Sequence, residues 1–123
     1  MTITIGEKEI ELTSRDHLIA IVDEALQAPY QEMWIRGKGE SHLCVLTNSS
    51  SALFMYFRFK GDSGFSSRNR SGDKKKFQDF VLSNAQLDEY PESALYDKNK
   101  VKGVLLTYFD TGNMDAAIEW MED

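Results

Sequence analysis

The chain has 123 residues, of which 41% are hydrophobic and 28% charged, with a net charge of −6 and one cysteine. That size supports a single core without disulfides or metals, and the balance excludes both an intrinsically disordered chain and a membrane-spanning one. One domain over residues 1–123 is therefore expected, and the N-terminus, which has no basic segment ahead of a long apolar run, points to a cytoplasmic protein with no secretory signal.

In chain order, Ile3, Ile5, Ile10 and Leu12 alternate on either side of Gly6-Glu7-Lys8, which predicts a short hairpin or two edge strands. A helix near 14–27 follows, with Thr13 and Asp16 resembling a capping box and Leu18, Ile19, Ile21, Val22, Ala25 and Leu26 at helical spacing. Pro29 stops it. Gln31 to Arg36 is a strand candidate that ends at the flexible Gly37-Lys38-Gly39.

Leu43 to Phe59 is the centre of the chain. Leu43-Cys44-Val45-Leu46 and Ala52 to Phe59 flank a polar break and predict an antiparallel pair. The second strand puts Leu53, Met55, Phe57 and Phe59 on one face and Phe54, Tyr56 and Arg58 on the other, so both faces require cover. Cys44 within it reads as a small buried hydrophobe. From Lys60 to Asp73 the composition turns to Gly, Ser, Asn, Arg and Asp, which predicts a long surface loop. Phe77 to Asn84 returns to strand character, and Leu87-Asp88-Glu89-Tyr90-Pro91 is expected to leave the sheet as an extended or turn segment. Asp97 is placed to cap a helix near 98–111 whose stripe is Val101, Val104, Leu105, Tyr108 and Phe109, with Gly112 as its stop. The tail is compatible with a helical turn or a strand, and the alternation of Ile118 and Trp120 with Glu119 favours strand. The fold class is α+β: a central antiparallel sheet around residues 43–59 with two main helices packed against it, and with Phe57 and Leu105 in the core.

Charge is unevenly spread. Seven basic residues and two acids lie between Arg58 and Lys76, whereas residues 79–97 hold Asp79, Asp88, Glu89, Glu92 and Asp97 with no Lys or Arg. The final stretch repeats the acidic pattern with Asp110, Asp115, Glu119, Glu122 and Asp123. Such a surface repels nucleic acid over most of its area and steers a basic partner towards it, although plain solubility gives the same composition.

The residues do not assemble an enzyme. His17 and His42 have no ligand-spaced partners, which argues against zinc. No serine stands in a nucleophile elbow, and Asp88 and Glu89, as neighbours in an extended chain, point to opposite faces. No catalytic, cofactor or metal residue is assigned. Gly61-Asp62-Ser63-Gly64 with Arg68 and Arg70 leaves a small anion- or nucleotide-binding domain open as an alternative, although the loop lacks the Gly-Lys-Ser/Thr ending of a phosphate loop.

Several segments together resemble the immunity protein 1 family: Leu43 to Asn48, Ala52 to Tyr56, Gly61 to Ser67, Tyr108 to Gly112, Ile118 to Trp120 and, most distinctively, Phe80-Val81-Leu82-Ser83-Asn84-Ala85-Gln86-Leu87-Asp88-Glu89-Tyr90-Pro91. The family pattern often has glycine where this chain has Ala85. The resemblance spans roughly residues 40–121, and the N-terminal part matches in general layout. It implies a non-enzymatic cytoplasmic protein that binds the C-terminal domain of a cognate polymorphic or contact-dependent growth inhibition toxin, with no cofactor, nucleic acid or membrane partner. A toxin that attacks nucleic acid is expected to have a basic cleft, and carboxylates offered where phosphates would sit can block it. The expected partner-binding residues are Asp62, Phe65, Arg68 and Asn69 in the 60–70 loop, with Asp88, Glu89, Tyr90 and Glu92 in the 84–92 segment, and with Trp34 as a further aromatic anchor.

Overall fold

The computed structural model describes residues 1–37 and 39–123. Lys38, the middle of the glycine connection, lies outside the described residues. The architecture is α+β, as the periodicity predicts. Strands β1 (Thr2–Ile5) and β2 (Lys8–Glu11) form the N-terminal hairpin. Helix α1 (Arg15–Ala25) leads to β3 (Gln31–Arg36), and β4 (His42–Thr47) and β5 (Ser51–Phe57) make the central pair. Then come β6 (Phe65–Arg68), β7 (Phe77–Val81), β8 (Leu87–Pro91), the short β9 (Tyr96–Asp97), α2 (Val101–Thr111) and β10 (Glu119–Glu122).

The main sheet runs β10-β6-β5-β4-β3-β1-β2, with β9 also pairing β5, and every pair is antiparallel. One face carries Ile3, Met33, Ile35, Leu43, Val45, Phe54 and Tyr56 beneath the two helices, which contribute Leu18 and Val22 from α1 and Val104, Leu105 and Tyr108 from α2. The opposite face carries Cys44, Leu46 and Leu53, covered by Phe80 and Leu95. Both faces of β5 are thus used, in the division that the alternation predicts. Cys44 is buried, and its thiol is raised well above its ordinary range by desolvation.

Four expectations need correction. The cap of α1 is Ser14, whose hydroxyl accepts from the His17 nitrogen at 3.1 Å. Thr13 instead bonds His17 Nδ1 through its own backbone nitrogen. The 60–73 segment is not a continuous loop, since β6 lies within it, held between β5 and β10. Ser67 explains why a serine-rich stretch is ordered there: its hydroxyl accepts from Phe54 N at 3.1 Å and donates to Ala94 O at 2.7 Å. Leu87–Pro91 does not leave the sheet region but returns along β7 as a second, two-stranded sheet. Finally, β5 ends at Phe57, which is only partly buried; Phe59 is exposed and Arg58 belongs to the following turn.

Asp97 caps a 3-10 turn at Lys98–Lys100, accepting from Asn99 N, and α2 continues from it. Gly112 ends α2 in the left-handed region, φ 73, and its amide donates to Tyr108 O at 2.7 Å, the stop expected of a glycine there.

Candidate partner interface

The β7–β8 hairpin is a lid on the second face of the main sheet, fixed at both ends. At its base, Asn48 Nδ2 donates to Gln78 Oε1 at 2.9 Å, and Gln78 Nε2 donates to Glu92 Oε2 at 3.0 Å. At its tip, Ser83 donates twice to Glu32, whose other oxygen accepts from Trp34 Nε1 at 2.8 Å. Burial pushes the Glu32 carboxyl up, but the bonds from Trp34 and Ser83 outweigh it and hold the group below its ordinary range. Between these anchors Phe80, only 1% exposed, packs edge-on to Tyr90 with ring centroids 5.7 Å apart. The Tyr90 hydroxyl donates to Asp88 Oδ2 at 3.1 Å. Burial first, and then Asp88, push that hydroxyl up to about 12.

The outer face follows from register. Phe77 lies opposite Pro91, Asp79 opposite Glu89 and Val81 opposite Leu87. Directly opposed residues share a face, so these six residues form one surface, with an acidic pair bracketed by two apolar pairs. Phe77 is 56% exposed and Leu87 58%.

Beyond the hairpin, the same side of the main sheet is open. Trp34, His42 and Phe57 stack across β3, β4 and β5, with His42 and Phe57 centroids 4.8 Å apart and Trp34 and Phe57 6.1 Å apart. A recess of about 460 Å3 over Trp34 and His42 is bordered by Thr4, Arg36, Glu40 and Lys60.

The family model described as Immunity protein Imm1 matches residues 6–122. The chain belongs to the Imm1 family. The match takes in β2 and α1, where the sequence resemblance is one of layout, while β1 precedes it. Imm1 is a family of immunity proteins, so the chain has an immunity role and its partner is a cognate toxin. No curated protein matches it. No helix among the described residues is long and apolar enough to cross a membrane, and no group of three or more His, Cys, Asp and Glu is placed to hold a metal ion.

In this Imm1 chain the sequence-selected residues are scattered over several surfaces. The Asp62 side chain is 3% exposed and closes a turn by accepting from Arg58 N, Nε and Nη2 at 2.9, 2.8 and 2.9 Å. Phe65 faces the helix side, with its ring centroid 6.5 Å from that of Tyr56. Asn69 is a structural clamp, donating from Nδ2 to Leu95 O at 2.8 Å. Asp88 and Tyr90 face inwards, and Glu92 accepts from Gln78. Only Arg68 and Glu89 of the eight are exposed side chains.

The C-terminal ends of the 60–70 and 84–92 segments lie near each other, with Asn69 N donating to Ser93 O at 2.6 Å, just past the second segment, and a Cβ on Gly72, just past the first, overlapping the Glu92 carbonyl. Phe77 and Leu87 were missed as surface candidates. The signal was present: Phe77, Asp79 and Val81 alternate with Gln78, Phe80 and Leu82, but only knowledge of which set is buried distinguishes the solvent side.

Proposed function

We propose that the protein binds and neutralises the C-terminal domain of a cognate polymorphic or contact-dependent growth inhibition toxin in the cytoplasm, covering its active site and performing no chemistry of its own. The Imm1 match over residues 6–122 carries this reading. The acidic stretch 79–97, which has no Lys or Arg, supports a basic toxin surface and hence a toxin acting on nucleic acid. Recognition draws on the 60–70 and 84–92 segments, with Arg68 and Glu89 as their exposed charges and Asp62, Phe65, Asn69, Asp88, Tyr90 and Glu92 shaping the backbone around them. The test is co-expression of the chain with the toxin domain encoded beside it, followed by calorimetry on the purified pair. Growth of toxin-expressing cells and a saturable 1:1 heat are expected; arrested growth and no heat would remove the reading.

A second reading keeps some support. Arg68, Arg70 and Lys74 line a recess of about 440 Å3 together with Asn69 and Gly72. An anion or nucleotide fits such a set of donors, although Arg70 is already paired with Glu119 at 2.7 Å. Millimolar phosphate or nucleotide that leaves the melting temperature unchanged eliminates it.

A further inference from the structure

We infer that the outer face of the β7–β8 hairpin is the centre of the docking surface, and that it takes a cationic side chain of the partner protein flanked by apolar groups. The inference rests on the immunity reading above and assigns it a place.

Three observations converge on this face. First, Asp79 and Glu89 are register partners, so their carboxylates lie directly across the strand pair on the solvent side. Like charges so placed destabilise an antiparallel pair, and neither makes a salt bridge among the described residues. A guanidinium or ammonium between them removes the repulsion and gains two charge-assisted hydrogen bonds.

Second, the apolar pairs on either side are not needed by the fold. The hairpin's inner residues, Phe80 above all, already bury its other face. Phe77 and Leu87 are nevertheless the two most exposed of the large hydrophobic side chains. They sit at opposite ends of a strip about 13 Å long, four residue rises of an extended strand. Single exposed hydrophobics carry no message, but here two apolar pairs in register flank one acidic pair on the same face of the hairpin. Interface centres are generally depleted of acidic side chains, so an acidic pair there needs a cationic partner group buried with it, while the apolar pairs supply area that excludes water around that contact.

Third, the platform is rigid. The hairpin is hydrogen-bonded to the main sheet through Asn48 at its base and Glu32 at its tip, so little ordering cost attends binding. Residues 77–97 contain five acids and no Lys or Arg, and although Lys74, Lys75 and Lys76 adjoin the base at Phe77, the acids of the strands steer a cationic group to the middle of this face.

The experiment uses the full chain and the toxin domain encoded beside it, with affinity measured by calorimetry at low and high salt. Two double variants are compared, Asp79→Lys with Glu89→Lys and Phe77→Ser with Leu87→Ser. Glu7→Lys with Glu24→Lys serves as a control with the same change of charge. Both hairpin variants are expected to bind about tenfold or more weakly than the control, and the charge-reversed one to lose most of the salt dependence. Since all four hairpin positions point away from the core, circular dichroism and melting should stay near the parent's; should one variant unfold, the other still decides. If the parent binds and both hairpin variants match the control, this assignment falls while the immunity reading stands. If the parent does not bind, both fall. Sedimentation of the chain alone gives a monomer if the face awaits a different protein; a dimer abolished by Phe77→Ser with Leu87→Ser makes the face a self-interface and overturns the assignment.

Discussion

The carboxylate of Glu32 accepts hydrogen bonds from both the backbone nitrogen of Ser83, at 3.0 Å, and its hydroxyl, at 2.9 Å. One side chain on β3 thereby fixes the tip of a hairpin 51 residues further along the chain. Its other oxygen orients the Trp34 indole. Glu32→Ala leaves a half-buried indole donor and the turn amide without their acceptor and should cost about 1–2 kcal/mol. The folded carboxyl titrates below its unfolded value near 4.5, so its contribution is complete above that pH and drains away as pH falls through the folded value. Urea denaturation from pH 7 to pH 3 should show the parent's advantage over Glu32→Gln shrinking as the acid is added. Parallel pH curves for the two proteins would remove Glu32 from this role.

The core assignments of Phe57 and Leu105 separate in the structure. Leu105 is buried beneath the sheet, whereas Phe57 lies half-open against His42 and Trp34. Leu105→Ala should cost about 3 kcal/mol through lost transfer energy and a cavity, and Phe57→Ala only about 1–2 kcal/mol because solvent fills the space left. Equal losses in chemical denaturation would place Phe57 back in the core.

Ala85 has φ 68, a left-handed conformation, in the turn where its amide donates to Leu82 O at 2.9 Å. Leu82 N also bonds Gln86 O, which makes Ser83-Asn84-Ala85 a three-residue hairpin loop whose last position favours glycine. A glycine here, which the family resemblance implies, would therefore have a backbone reason. Ala85→Gly should stabilise the protein by about 0.5 kcal/mol, since the Cβ clash of the left-handed region, about 1–2 kcal/mol, modestly exceeds the entropy lost on fixing glycine, about 0.5–1 kcal/mol. A lowered melting temperature would show that this turn is relaxed with alanine.

Asp62 is tied to the turn it closes rather than available to a partner. The Arg58 side chain and backbone bonds hold its carboxyl well below the usual carboxylate range, so its contribution is present above the ordinary value near 3.8 and is lost as pH falls below it. Asp62→Asn should lower the melting temperature at neutral pH, flatten the acid limb of the stability curve and speed proteolysis at residues 58–64. Toxin affinity should fall by less than about tenfold, because Asp62 bears on recognition through the turn it closes and not by direct contact. An unchanged melting temperature with a lost partner would restore Asp62 to the interface.

Period-2 alternation located β5, short apolar or aromatic runs between polar or glycine breaks located β3, β4 and β7, and helical stripes with a proline or glycine stop located α1 and α2. Three strands were not legible, of which β9 is two residues long and is defined only by its pairing with Ser51 and Ala52 of β5. Phe65-Ser66-Ser67-Arg68 is short and serine-rich, and what makes it a strand is remote in sequence: β10 on one side and the Ser67 bonds to Phe54 and Ala94. Leu87 to Pro91 carries two acids and a proline, so its pairing depends on the left-handed Ala85 turn and on Phe80 seeking cover. The surface suffered most from this. A segment whose composition predicts a surface loop holds an internal strand, and a run of candidate contacts in β8 divides between two faces of a hairpin.

That division gives the last prediction. Asp88 faces inwards, where it accepts from Gln86 Nε2 at 2.7 Å and from the Tyr90 hydroxyl, while Glu89 faces solvent across from Asp79. Asp88→Ala should cost about 1 kcal/mol by depriving a half-buried phenol of its acceptor. Glu89→Ala should be neutral or stabilising by a few tenths, roughly 0.2–1 kcal/mol, because it relieves a like-charge cross-strand pair. Alkaline absorbance titration supplies an independent reading. Tyr90 is pushed up to about 12 by burial and then by Asp88, so Asp88→Ala should bring its titration down part of the way towards the ordinary value near 10, and Glu89→Ala should leave it in place. A raised folded value means that the neutral phenol's contribution is complete below pH 10 and lost as pH rises towards 12. Two neighbouring carboxylates with opposite effects on stability establish the hairpin's sidedness; identical behaviour of the two variants in both measurements would mean that β8 is not paired with β7 in the register described.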